Sequence, residues 1–455
     1  MSDTKIGRRD FLSYSAVLGA AGIVGLSSCK GGGLTPLRKP GDYYVPELTD
    51  KADAGRELKV GLVGCGGRGR GALNDLLAAS DSIKVVALGD TFSDPIEKER
   101  EELLENHRIK VDDDKCFVGF DAYKKVIDSG VDMVILATPP CFRPEHFSYA
   151  TSKGVHSFLE KPIAVDPAGY RLAVATAKQA EAKGLSVVTG TQRHHQRCYV
   201  EAFKKIQEGY IGEIRGGNVY WNQGALWFRE RGTQHRDWSD MELMIRDWVN
   251  WEWLSGDHIV EQHVHNIDVF LWMTGLKLVK ATGFGARHRR YTGDQFDQFS
   301  VDFEFENGIH LHSMCCQIDG FDTEIREIIH GSKGSWDSAT GEIKDLDGNV
   351  IWKFDYDAED ASHSQTNPYV LEHVDWVNHI RRGETHVEAE LTAMSCMAAI
   401  MGRESAYSGK EVLWDDMVAS DLCLMPEKLA MGPMDMSKFK VPVPGEDREK
   451  VSQSL

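Results

Sequence analysis

The chain lacks the features that would send it across a membrane or onto a nucleic acid. No internal apolar run approaches the ~18 residues of a membrane-spanning helix. Positive charge is in deficit: 52 Lys and Arg stand against 70 Asp and Glu, a net charge of −18. That balance excludes a basic footprint for nucleic acid or for an anionic membrane surface. Cysteine is sparse and unpatterned. Apart from Cys29, the residues Cys65, Cys116, Cys141, Cys198, Cys315, Cys316, Cys396 and Cys423 show no zinc-finger spacing and read mostly as small buried hydrophobes. Cys315 and Cys316 are adjacent in a strand pattern and point to opposite faces, so they do not bond each other. No internal repeat is present. What remains is an ordinary globular composition, 42% hydrophobic over 455 residues, long enough for two or three domains.

Two motifs stand out against this plain background. Leu58–Val63 reads as a short buried strand, and Gly64-Cys65-Gly66-Gly67-Arg68-Gly69 follows it directly, with a helical pattern from Ala72 to Leu77. Strand, glycine turn and helix are the frame in which G-x-G-x-x-G binds a dinucleotide. The glycines let the backbone approach a pyrophosphate, which rests on the N–H groups of the helix start. A second strand, Lys84–Gly89, ends at Asp90, ~20 residues beyond the last glycine, where an acid binds the ribose 2′-OH of NAD and repels the 2′-phosphate of NADP. Arg68 and Arg70 pull the other way, so NAD is preferred with NADP the weaker option. Further strands, Val131–Ala137 and Gly154–Leu159, run into Thr138-Pro139-Pro140 and into Glu160-Lys161-Pro162. Alternation with helices predicts a parallel sheet, whose ligands bind outside the carboxyl ends of the strands. Thr138, Pro139 and Lys161 fall at such ends.

The first residues carry an address. Arg8-Arg9-Asp10-Phe11-Leu12 precedes an apolar stretch from Ala16 to Leu26, and Leu26-Ser27-Ser28-Cys29 resembles a lipobox. The pattern reads as a twin-arginine export signal over 1–28 with Cys29 as a lipid-anchor site, implying a periplasmic or envelope-anchored protein. Such export carries folded proteins, so a tightly bound dinucleotide is expected. Residues 29–56, with Gly31-Gly32-Gly33 and prolines at 36, 40 and 46, read as a linker. A dinucleotide domain is expected over 57–190, a substrate and oligomerisation domain over 191–415, and a C-terminal extension over 416–455.

The second half changes pattern. A short helix is expected over 202–209. Strands are expected over 212–222, 280–286, 298–305, 309–318 and 324–330, with Asn307-Gly308 as a hairpin turn. Helices are expected over 369–381 and 389–408, packing back toward the first domain. The predicted fold class is α/β: a Rossmann domain followed by an α+β domain with an open, mostly antiparallel sheet.

Chemistry concentrates in Asp257-His258-Ile259-Val260-Glu261-Gln262-His263-Val264-His265-Asn266-Ile267-Asp268. Read as one helix, it puts Glu261 and His265 on one face, with Asp268 placed to orient His265. A histidine is the usual base for taking a hydroxyl proton near neutral pH, a lysine ammonium stabilises the developing alkoxide, and Glu261 would hold a neighbouring hydroxyl. A metal set of His258, Glu261, His263 and His265 lacks H-E-x-x-H spacing, and no metal is expected. Trp221, Trp227, Trp238, Trp248, Trp251 and Trp253 share one stretch with Arg229, Arg231, Arg236 and Arg246. Aromatic faces and arginines suit sugars, and equally suit a packed loop or subunit interface. Trp227, Arg246, Asp257 and His258 are the candidate substrate residues.

Together these motifs resemble the Gfo/Idh/MocA family of sugar and cyclitol dehydrogenases over about residues 57–415. The residues that carry the resemblance are Gly64-x-Gly66-x-x-Gly69, Thr138-Pro139-Pro140 with His146 beyond, Glu160-Lys161-Pro162 and His265-Asn266-Ile267-Asp268. The resemblance implies that Lys161 contacts nicotinamide and substrate and that His265 is the acid/base. It places His146, Glu160, Gln192 and Arg193 near the cofactor and implies a homodimer or homotetramer. Many members carry Asp where this chain has Glu261. It leads to an NAD-dependent oxidoreductase acting on a carbohydrate hydroxyl or ketone. Two alternatives stand beside it: a redox-neutral NAD-dependent glycosidase, and a non-catalytic sugar-binding lipoprotein.

Overall fold

The computed structural model describes residues 36–39, 43–230, 232 and 235–446. The export signal, Arg8, Arg9 and Cys29 lie outside them.

The run Leu58–Val63 is apolar apart from Lys59 and becomes an inner strand, buried at every position except that exposed lysine. It sits between Met133–Leu136 on one side and Ile83–Asp90 on the other in a seven-stranded sheet. Cys116–Val118 completes one edge; His156–Leu159, Ser186–Thr189 and His386–Val387 continue the other, and every pairing is parallel. The chain runs outward from the first strand and returns to its opposite side, so strand order reverses between Leu58–Val63 and Met133–Leu136. Ligands of open parallel sheets bind at such a switch point. Helices cover both faces. Leu73, Leu76, Ile96 and Leu103 pack on one face beside Trp376 and Ile380 of the late helix Pro368–Arg382, and Val126, Phe147, Ala173 and Ala177 pack on the other.

The second sheet has nine strands. Its order runs Val350–Lys353, Glu342–Asp345, Gly334–Asp337, Glu324–Gly331, Ile214–Gln223, Ile309–Gln317, Gln298–Phe305, Leu278–Ala286, Val412–Leu413. All neighbours are antiparallel except Ile309–Gln317 against Ile214–Gln223. The period-two pattern of Phe299, Val301, Phe303 and Phe305 buries all four against the helices Val264–Thr274 and Ala389–Ser408. Asn307 and Gly308 both have φ of 67°, as a tight hairpin turn demands.

Three parts of the sequence reading change. The described part of the stretch read as a linker is fastened down: Arg38 bonds Gln207 and Trp272 O, Tyr43 lies edge-on to Phe203, Arg197 bonds Leu48 O and Asp50, and Asp53 holds Arg382. The region 334–353 adds three strands of four residues each, too short to give a periodic signal. The segment after 416 is sewn to the body, with Leu424 N donating to Asp166 and Arg171 donating to Val418 O and Ser420 O.

Candidate active site

The glycine fingerprint closes on the switch point. Gly64 has φ of +93°, and a Cβ there would lie 2.6 Å from Thr138 N. A Cβ on Gly69 would meet Gly64 O at 1.8 Å. These two glycines are therefore demanded by backbone crossing backbone. Gly69→Ala is expected to cost about 1–3 kcal/mol, seen as a lower melting temperature. Gly66 and Gly67 differ, because nothing stands within 4 Å of a Cβ at either. The helix Gly67–Ala79 starts there with no side-chain cap. Its first N–H groups thus face open space, the cradle that a pyrophosphate fits.

Asp90 ends the second strand beside this loop. It accepts Cys65 N at 2.8 Å and Phe92 N at 3.0 Å, and burial raises its pKa. Thr138 and His146 meet at 3.3 Å, and His146 stacks on Tyr123 with centroids 4.0 Å apart. Burial pushes the His146 pKa down to about 3, so it is a neutral packing and hydrogen-bonding group. Pro139 leads into the short turn Pro140–Phe142. Asp90, Thr138, Phe142 and His146 line one narrow gap at the strand ends. Arg68 turns back over the sheet to pair with Glu160 and with Asp75 (3.3 Å), and lies over the Tyr369 ring. Arg70 pairs with Glu102. Both arginines whose charge favoured a 2′-phosphate are thus already matched by carboxylates.

Lys161 projects from the end of His156–Leu159 to the other domain. Its Nζ donates to the Glu261 carbonyl at 2.6 Å and lies 3.3 Å from Glu261 Oε1. His265 follows a few residues on, its ring stacked on Trp221 with centroids 5.6 Å apart. Among the described residues the His265 ring has no hydrogen-bond partner, and neither ring nitrogen is sealed from solvent. Burial, then the charges of Lys161 and Arg193, hold its pKa well below 6.5. It is therefore neutral, able to accept a proton from a bound hydroxyl.

The cluster reaches this arrangement by a different route from the one the sequence predicted. Glu252–Ser255, His258–Glu261 and Val264–Thr274 are separate helices, broken at Gly256 (φ 81°), at Asp257 (φ 72°) and around Gln262-His263. The break turns His263 onto Ser313 Oγ at 2.6 Å. Asp268 does not orient His265; it lies 2.7 Å from His194 Nε2 and accepts Ser395 Oγ. Asp257 and His258 are not open to substrate. Asp257 accepts His258 N, Phe296 N and Tyr407 OH, and His258 Nδ1 lies 3.0 Å from it, all fully buried.

Arg246 also has another occupation. It grips Asp94 through both terminal nitrogens at 2.8 and 3.1 Å, bonds Glu242, and stacks 3.9 Å over Phe92. Arg193 points into the second domain, onto Glu327 and over the rings of Tyr199 and Trp221, while Gln192 stays half-buried at the junction. Trp227 remains exposed. Sequence reasoning passed over Arg143, which is buried and donates to Pro162 O at 2.7 Å behind Lys161; its place just after Thr138-Pro139-Pro140 was the only clue.

Known proteins bear on this geometry. Residues 58–189 match the oxidoreductase family with an NAD-binding Rossmann fold, and residues 199–337 match the GFO/IDH/MocA C-terminal domain. A scyllo-inositol 2-dehydrogenase (NAD(+)) of Bacillus subtilis is 21% identical over 61% of this chain and 73% of its own. A glycosyl hydrolase family 109 protein of Shewanella sp. (strain ANA-3) is 30% identical over 48% of this chain and 47% of its own. The crystal structure of Lactobacillus casei scyllo-inositol dehydrogenase with bound NAD(H) and scyllo-inositol superposes with a TM-score of 0.59 at 19% identity, covering 80% of this chain and all of that one. An open glycine cradle at a sheet switch point, joined to the second domain through Lys161, thus belongs to a member of the Gfo/Idh/MocA family of NAD-dependent oxidoreductases.

Proposed function

We propose that this enzyme moves a hydride between NAD and a carbohydrate, at a hydroxyl in one direction and a ketone in the other. The observation that carries the reading is Lys161, which leaves the nucleotide sheet and bonds Glu261 of the second domain beside the neutral, unpartnered His265. Gly66, Gly67 and the first turn of Gly67–Ala79 would hold the pyrophosphate, and Asp90 the adenosine ribose. The bound nicotinamide supplies the hydride acceptor or donor. His265 takes the hydroxyl proton as the C–H bond is given up and returns it in the reverse direction. The Lys161 ammonium stabilises negative charge growing on the substrate oxygen. Glu261 keeps Lys161 in place and offers a carboxylate to a neighbouring hydroxyl. Trp221 walls the same space.

A second reading, redox-neutral glycoside cleavage with NAD regenerated in each cycle, is favoured by the family 109 relative and uses the same residues. Mixing the purified enzyme with a panel of glycosides separates the two. Stoichiometric nicotinamide reduction without sugar release supports the dehydrogenase, and catalytic sugar release without accumulating reduced cofactor supports the hydrolase. Export by the twin-arginine route with a lipid anchor at Cys29 is part of this proposal, supported by the sequence of residues 8–29.

Tight cofactor retention belongs to it as well. Beside Asp90, Arg246 clamps Asp94 and Phe92. An apolar cluster made by Phe92, Phe120 and Phe142 of the first domain with Met241, Met244 and Trp253 of the second stands over the same strand ends. Arg246→Ala removes a bidentate charge pair and a cation–π stack. It is expected to speed dinucleotide release about tenfold, equivalent to about 1.4 kcal/mol, measured as loss of bound nucleotide on dialysis.

A further inference from the structure

We propose that a second sugar-binding subsite lies beyond the reacting centre, so that the substrate is a glycoside of at least two rings. This rests on the carbohydrate reading above. The strand Ile214–Gln223 carries Trp221 against His265, and Gln223 accepts from Trp221 Nε1 at 2.6 Å. Where that strand ends, the chain opens into a cavity of about 120 Å³ walled by Ala225, Phe228, Arg289, Tyr291, Gln317 and Asp319. In the sheet Cys315 stands opposite Trp221 and Gln317 opposite Gln223. Gln317 is therefore about 7 Å further along the sheet than the ring that covers His265, roughly one pyranose unit away.

The walls have the two-sided character that a sugar requires. Gln317 is 5% exposed; its Oε1 accepts from Arg290 at 2.7 Å, but its Nε2 has no hydrogen-bond partner. A buried amide donor left so is costly, and a ligand hydroxyl would satisfy it. Asp319 accepts Ala225 N with Oδ1 at 2.9 Å, and its Oδ2 has no partner among the described residues. Phe228 and Tyr291 supply apolar faces. They are 44% and 72% exposed, and their rings stack with centroids 5.1 Å apart. Large rings held in water beside an unpaired amide and a half-used carboxylate match the C–H face and hydroxyl edge of one sugar. A flat apolar patch for a second copy of the chain would not need the polar half.

The test compares kcat/KM for cellobiose, lactose and maltose with that for glucose, galactose and scyllo-inositol, using NAD-loaded wild type, Gln317→Leu and Tyr291→Ala. The best disaccharide is expected to exceed its single-ring counterpart at least tenfold, and the ratio is expected to fall toward one in both variants. Melting curves check that each variant is folded, and saturation-transfer NMR with the best disaccharide reads binding directly. Equal values for one and two rings in wild type, or an unchanged ratio in both variants, overturns the subsite and leaves the oxidoreductase reading in place. If Tyr291→Ala breaks self-association in sedimentation while the ratio is unchanged, the patch is an interface and the subsite is overturned. No conversion of any compound overturns the carbohydrate reading and the subsite with it.

Discussion

Lys161→Met is expected to lower turnover by about 10²–10³ while the protein still folds and binds NAD. The reason is local. Lys161 stands at the end of a strand with its ammonium group on the Glu261 carbonyl and beside the Glu261 carboxylate, so the methionine chain fills similar volume and removes only the charge and the donors. The same substitution has a second readout. Lys161 is the first charged neighbour that holds the His265 pKa down, after burial itself. Removing that charge raises the His265 pKa. The acid limb of the kcat/KM–pH profile, which in the wild type lies below 6.5, should therefore move to higher pH. Unchanged turnover would remove Lys161 from the chemistry, and an unmoved acid limb would mean that His265 is not the group titrating.

His265→Gln is expected to cost about 10²–10⁴ in kcat, the usual contribution of a positioned acid/base, and to abolish the acid limb altogether. Glutamine keeps the bulk against Trp221 but cannot carry the proton. The comparison that makes this decisive is His263→Gln. His263 is as buried, and burial drives its pKa down to about 3, yet its ring bonds Ser313 in the second sheet. Loss of the pH dependence in the first variant and its retention in the second assigns proton transfer to His265. The opposite result reverses the assignment.

Most of the frame was legible in the sequence because it depends on short-range pattern. The glycine turn, the alternation from Phe299 to Phe305 and the helix over 389–408 each satisfy a local period or turn rule. The side-chain pairings were less legible, because partners are chosen in three dimensions. A helical reading put Asp268 within reach of His265, and both do lie on the helix Val264–Thr274, but His194, 74 positions before Asp268, takes the carboxylate. Asp257 looked like a polar residue beside a cleft. Its left-handed backbone turns it inward onto Phe296 and Tyr407. Arg246 looked like a sugar ligand because it lies among tryptophans. Its actual partner, Asp94, follows the second strand of the other sheet, a contact that no spacing in the sequence announces.

The strand His386–Val387 has a temporal consequence. It is the last member of the nucleotide sheet, bonded beside Ser186–Thr189, and the helix before it covers one face of that sheet with Trp376 and Ile380. The cofactor cradle is made by residues near 65, but the sheet beneath it is unfinished until residues near 387 have left the ribosome. The two domains are thus not arranged like beads on a string, because late residues complete the first sheet. A chain stopped before residue 368 is therefore expected to expose the apolar surface of Phe158, Val188 and Leu76, which Trp376 and Ile380 cover in the whole protein.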